Sequence, residues 1–248
     1  MNKHIVVINT PKYNPDQYFE RLAKQVRENT ATKKTPIVLI NTDYPDGLPS
    51  SLVNLGVLLV EGHGNHESDF EQANLAEAAH ILVLAKDEFV MDSDSLTFDI
   101  CYRMKEHGLA YNVVVECLED ENRERFKRIG VRSVIRPIRS YPELLVRAMD
   151  APGSEVVIED MFTRKDNHPE RYSIWLEGER WADVVSAMVQ AGVGTPMAFI
   201  NKEGEVTVHP AGDDHIHAQS LIILVKSANV PSQKQVDAAF EKSLVKLG

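Results

Sequence analysis

Val60-Glu61-Gly62-His63-Gly64-Asn65, followed by Phe70-Glu71-Gln72-Ala73-Asn74-Leu75, is the stretch on which the reading of this 248-residue chain turns. The apolar run Val57–Val60 stops at Gly62 and an acidic turn, as a buried strand does when its end must bend sharply. A helical pattern then follows over Phe70–Ala79, with Phe70, Ala73, Leu75 and Ala76 on its sheet-facing side, and a second apolar run, Ile81–Leu84, comes directly after it. Strand, glycine turn, helix, strand is the unit of a parallel sheet.

Working outward, the same unit recurs. Ile5–Ile8, Ile37–Ile40, Val113–Glu116 and Val134–Ile135 are further short β-branched runs separated by connecting segments, so the expected fold is a Rossmann-like, doubly wound α/β sheet with helices on both faces. The first helix is marked by Asn14 as a cap, Pro15 at its first position, Gln17 in capping-box register and Phe19, Leu22, Ala23 and Val26 on one face, and it closes near Asn29. A third helix, Ser93–Glu106, presents Leu96, Ile100 and Met104 at helical spacing, and Gly108 supplies a left-handed stop.

The style changes past the sixth strand. Pro142–Asp150 and Glu155–Thr163 are expected as two apolar-faced helices broken at Ala151-Pro152-Gly153, and the charged Arg164–Arg171, with Asn167-His168-Pro169, marks a boundary. Beyond it, Tyr172–Leu176, Met197–Asn201, Glu205–His209 and Ser220–Val225 are expected strands, Trp181–Gln190 a helix, and Lys202-Glu203-Gly204 a hairpin turn. The expected division is a Rossmann-like lobe over 1–140, crossover helices over 141–166 and a small α+β subdomain over 167–248.

Acidic residues outnumber Lys and Arg by 37 to 27, a formal net charge of -10, with no basic stripe to hold phosphates; nucleic acid is not an expected partner. The apolar runs fall far short of the roughly 20 residues that span a bilayer, and no basic segment with an apolar core opens the chain. Cys101 and Cys117 have neither CxxC spacing nor a nearby metal-finger histidine and are read as reduced, buried thiols. No nucleophile elbow, P-loop or HExxH pair occurs, and the carboxylate runs Glu119–Glu121 and Glu159–Asp160 are read as solvated helix starts and faces.

Taken in order, the Val60–Leu75 stretch, Lys127–Val134 with Gly130 ahead of a strand ending at Pro137, Gly192–Ile200, the Gly204 turn, His209-Pro210 and Ser220–Val225 resemble the RCK domain, the regulator of potassium conductance built from TrkA-N and TrkA-C parts. The resemblance covers nearly the whole chain. It implies a non-catalytic, cytoplasmic regulatory module at the inner face of the membrane, coupling a small ligand or ion to potassium flux through a channel pore. It equally permits a free-standing Trk/Ktr-type subunit of a potassium transporter. It further implies self-association, with pairs clasping through helices around Phe126 and Leu144–Met161 and several pairs forming a gating ring. Phe126, Ile129, Leu144, Leu145, Val157, Met161 and Phe162 are expected to exceed what one sheet face can bury.

The family's dinucleotide-binding turn requires three glycines after the first strand, and here those positions read Asn9, Pro11 and Asn14. Pro11 has no N–H to offer, and the two asparagines fill space a pyrophosphate needs, so a dinucleotide in the usual pose is not expected. A rival reading, a Rossmann-type NAD-dependent oxidoreductase with the cofactor in an altered pose, would need a general acid or base near the strand ends. Asn41, Asp43, Glu61 and His63 are the side chains left to line a degenerate nucleotide cleft, Asn41 standing where the family places an acidic ribose anchor. Positions used by calcium-gated relatives correspond to Leu84, Glu116 and Leu118, of which Glu116 carries an oxygen donor. Two mixed clusters carry ligands for a divalent metal should their side chains converge: His63, His66 and Glu67, and the set His209, Asp213, Asp214, His215 and His217, in which alternation points His215 and His217 the same way.

Overall fold

The computed structural model describes residues 2–28, 32–131, 133–137, 149–162 and 166–247. The chain divides into two compact units, Met1–Val146 and Arg147–Gly248. Of the segment 141–166 expected as crossover helices, residues 141–148 and 163–165, Leu144 and Leu145 among them, lie outside the described residues.

In the first unit the elements run β1 Ile5–Ile8, α1 Pro15–Glu28, β2 Ile37–Asn41, α2 Ser50–Asn54, β3 Val57–Glu61, α3 Glu67–Gln72, β4 His80–Val83, α4 Asp92–Glu106, β5 Val113–Glu116, α5 Asp120–Arg128 and β6 Ser133–Ile135. The strands form one sheet in the order β3-β2-β1-β4-β5-β6, and every pairing is parallel. Side-chain parity explains the two layers. Ile5, Val7, Ile37 and Leu39 face a core closed by Phe19 and Ala23 of α1 and Leu52 of α2. Val6, Ile8, Val38, Ile40, Val113 and Val115 face the opposite core, closed by Phe70, Ile100, Met104 and Phe126. A strand buried on both faces reads as an unbroken apolar run, which is why the runs were visible.

Two expectations are corrected and one helix is added. The helix placed at Phe70–Ala79 begins at Glu67, ends at Gln72, and gives way to a left-handed Asn74 (φ 49°) and a 3-10 turn over Leu75–Glu77; asparagine tolerates that conformation and breaks the helix there. Helix α2 had no clear sequence signal because it is five residues long. Phe126 is fully buried and Ile129 nearly so, both inside this unit's own core. Those two side chains belong to the fold and are not spare for a dimer face.

The second unit runs α6 Ser154–Phe162, β7 Asn167–Arg180, α7 Trp181–Gln190, β8 Thr195–Ile200, β9 Val206–Val208, β10 His215–Lys226 and α8 Gln233–Leu247. Its strands make an antiparallel sheet in the order β7-β10-β8-β9. Its core gathers Tyr172, Ile174, Leu176, Trp181, Val184, Met188, Leu221, Ile223 and Val236. The charged stretch expected as a boundary is the start of β7: Asn167 pairs with Lys226 and Pro169 with Leu224. A proline fits there because β7 is an edge strand. Pro196 sits in interior β8 beside a register shift between Ile222 and Ile223, the other setting a sheet allows for proline. On α6, Val156, Val157 and Phe162 remain more than half exposed.

Candidate functional site

The strand order reverses between β1 and β4, and in an open α/β sheet ligands enter the crevice at the carboxyl ends of such strands. A cleft of about 610 Å³ opens there. Thr10, Lys12, Asp43, Lys86, Asp87, Asp92 and Ser93 supply its polar lining, and Pro11, Pro15, Val90 and Leu96 its apolar wall.

The turn from β1 into α1 keeps a glycine-type backbone without glycine. Asn9 and Asn14 hold φ of 71° and 50°, conformations asparagine reaches more readily than other non-glycine residues. Asn9 is tied down further, its Nδ2 donating to the Leu84 carbonyl at 2.9 Å and its backbone N–H to Ile40 at 3.2 Å. At the mouth of α1, where a phosphate would take free amides, Pro15 has none to give. Asp16 occupies the first turn with its own negative charge, accepting from the Tyr44 hydroxyl at 2.8 Å. Burial, together with that bond, raises the Tyr44 pKa. A dinucleotide pyrophosphate does not fit these residues.

Two loops meet across the cleft. Lys12 Nζ donates to Asp87 Oδ2 at 2.6 Å, and the Phe89 amide donates to Asp87 Oδ1 at 3.0 Å. The hydrogen bond from Lys12, then that from Phe89, lowers the Asp87 pKa below the usual carboxylate range. Tyr13 and Phe89, each more than half exposed, meet edge to face at 6.0 Å beside this ion pair.

Around the cleft, backbone amides that could hold an anion are already held by buried carboxylates. Asp69 accepts from His63 and Gly64 at 3.1 and 2.9 Å. Asp94 accepts from Leu118, Glu119 and the Asn122 side chain at 2.7, 3.1 and 2.9 Å, at the head of α5. Glu116 accepts from Ala85 at 2.9 Å; burial raises its pKa and the Ala85 bond partly offsets that. Burial, with Asp94 nearby, pushes the Cys117 thiol up to about 12, so it and the free, buried Cys101 are inert at neutral pH.

The TrkA-N domain family matches residues 18–137. The first unit belongs to the TrkA-N family. The chain as a whole has the RCK fold: the human SLO3 gating ring aligns with 96% of it at 12% identity and a TM-score of 0.64, using 46% of that chain. The GsuK RCK domain aligns with 98% of this chain and 47% of its own at 15% identity and a TM-score of 0.41. The TrkA-N domain of the Escherichia coli inner membrane protein ybaL aligns with 60% of this chain and 98% of its own at 14% identity and a TM-score of 0.44. The chain thus spans about half the length of the SLO3 and GsuK chains. No curated protein sequence matches it.

Within this TrkA-N domain the four expected cleft residues separate. Asp43 lines the cleft. Asn41 is buried, its Oδ1 accepting the Asp43 amide at 3.1 Å, so it shapes the β2 turn. Glu61 and His63 are exposed at the end of β3, outside the cleft lining. For the expected metal ligands, among the described residues no three His, Cys, Asp or Glu side chains are placed together to hold an ion. His215 and His217 do share the exposed face of β10, but His215 Nδ1 pairs with the Gly178 carbonyl at 2.7 Å and Asp214 accepts the Ala211 amide at 2.9 Å. His209 sits in a left-handed turn (φ 49°), Asp213 stands by Arg180, and Glu116 belongs to the other unit. Glu67 of the His63, His66, Glu67 set pairs with His107 at 3.1 Å. Thr10, Lys12, Asp69, Asp87 and Asp94 escaped the sequence reading; Lys12 and Asp87 are 75 positions apart, and topology alone joins them.

Proposed function

We propose that the chain is the regulatory module of a potassium channel, a non-catalytic cytoplasmic domain that assembles with copies of itself and transmits ligand occupancy to a pore. The observation that carries this reading is the likeness of both units, over 96% of the chain, to the SLO3 gating ring, supported by the TrkA-N match. Asp69, Asp94 and Glu116 are each committed to backbone amides and Asp87 to a lysine, so these four carboxylates hold the loops in place. The exposed Val156, Val157 and Phe162 of α6 supply apolar surface for self-association. No described helix is long and apolar enough to cross a membrane, so the pore belongs to another segment or subunit; a transporter subunit would use the same module. Removing the segment encoding this chain and following rubidium flux in the native cell tests the reading. Altered flux is expected, and unaltered flux would overturn it.

A further inference from the structure

Five of the connecting segments that reach the carboxyl edge of the first sheet, residues 9–16, 41–50, 61–69, 84–94 and 116–121, together hold fourteen Asp and Glu against two Lys. One lysine, Lys12, is paired with Asp87, and Arg136 at the exit of β6 is paired with Asp120, while Lys86 lines the cleft itself. The field at the cleft mouth repels phosphate and concentrates positive charge. A second observation points to a ligand. Thr10 lines the cleft and is 6% exposed, yet its Oγ1 has no hydrogen-bond partner, and buried hydroxyls are otherwise satisfied. Pro11, Pro15, Val90 and Leu96 add an apolar wall, and about 610 Å³ lies within the range of small-molecule sites.

We propose that this cleft receives a small organic amine, its ammonium drawn to Asp43 and the Thr10 hydroxyl and its apolar body set against Pro11, Val90 and Leu96. The crevice that the fold reserves for a nucleotide thus takes the opposite charge. This ligand class rests on the regulatory reading, but the two fail separately. Amine binding without an effect of the chain on rubidium flux would remove the regulation and keep the site; an effect on flux without amine binding would do the reverse.

Calorimetric titration of the full chain with tryptamine, and with indole-3-acetate as the anion of matching ring, tests the site. Tryptamine is expected to bind and indole-3-acetate not. Asp43→Asn and Thr10→Val are expected to weaken tryptamine by about tenfold to a hundredfold, while Glu203→Gln, the same charge change in the exposed hairpin of the second unit, leaves it unaltered. Asp43 is exposed, so its variant is expected to keep the parent melting temperature. Equal binding of both indoles, no binding of tryptamine, or equal weakening by Asp43→Asn and Glu203→Gln would overturn the proposal.

Discussion

The Asp94 carboxylate accepts the backbone N–H of Leu118 at 2.7 Å, joining the first turn of α4 to the loop that opens α5. Asp94 is 2% exposed and also serves Glu119 and Asn122, so its loss strands several partly buried donors at once. Asp94→Ala is expected to cost about 2–4 kcal/mol, and Asp94→Asn less, because the amide oxygen can still accept one bond. Urea unfolding of the three proteins measures the order.

Gly64→Ala is expected to be among the most damaging single-methyl changes. Gly64 has φ +69°, and a Cβ there would overlap the Ile8 side chain. Left-handed strain and overpacking add to about 2–4 kcal/mol. Gly47→Ala, at φ +89° with open space around it, carries the strain without the clash, and the difference between their melting temperatures isolates the packing contribution.

Glu116 gives a pH signature. Its folded-state pKa is raised by burial, so the folded protein holds that proton more tightly than the unfolded chain does. Its contribution turns unfavourable as pH rises from the ordinary carboxylate range through the folded-state pKa. Glu116→Gln keeps an acceptor for Ala85 and is expected to match the parent in acid and to become the more stable of the two toward neutrality. Glu116→Ala leaves the Ala85 amide buried and unpaired, at about 1–3 kcal/mol. Melting temperatures across pH separate the two.

Asp87 has the opposite sign. Its pKa is lowered, first by Lys12, so the loop contact is present above the ordinary carboxylate pKa and is lost as pH falls through the depressed one. Hydrogen exchange at the Phe89 amide, which donates to Asp87, is expected to lose protection over that acid range. Lys12→Met and Asp87→Asn are expected to lower that protection at neutral pH as well.

What the sequence showed was what periodicity records. Strands buried on both faces announced themselves as apolar runs, and the Gly62–Gly64 turn stood out because its glycines are sterically required: a Cβ on Gly62 would meet the Asp69 carboxylate at 2.5 Å. Asn9 and Asn14 marked the turn that lacks glycine, and both adopt positive φ. What stayed hidden depends on the third dimension. Pro169 resembled a boundary because proline breaks most strands, and it is tolerated on edge strand β7. Helix α8 was overlooked because lysines and glutamines dilute its buried Val236 and Ala239. Asp43 alone among the expected cleft residues reached the cleft, because a strand end fixes which loop arrives at the crevice but not which of its side chains turns inward.

Titration with NAD, NADH and ATP by calorimetry at low salt, where nucleotide binding is strongest, tests most directly whether this RCK fold has exchanged its phosphate site for an acidic cleft. With Pro11 and Pro15 lacking amides, Asp16 in the first turn of α1, and Asp69, Asp94 and Glu116 holding the neighbouring amides, no binding heat is expected for any of the three. Low-micromolar dissociation constants that are abolished by substitutions within residues 9–14 would contradict it.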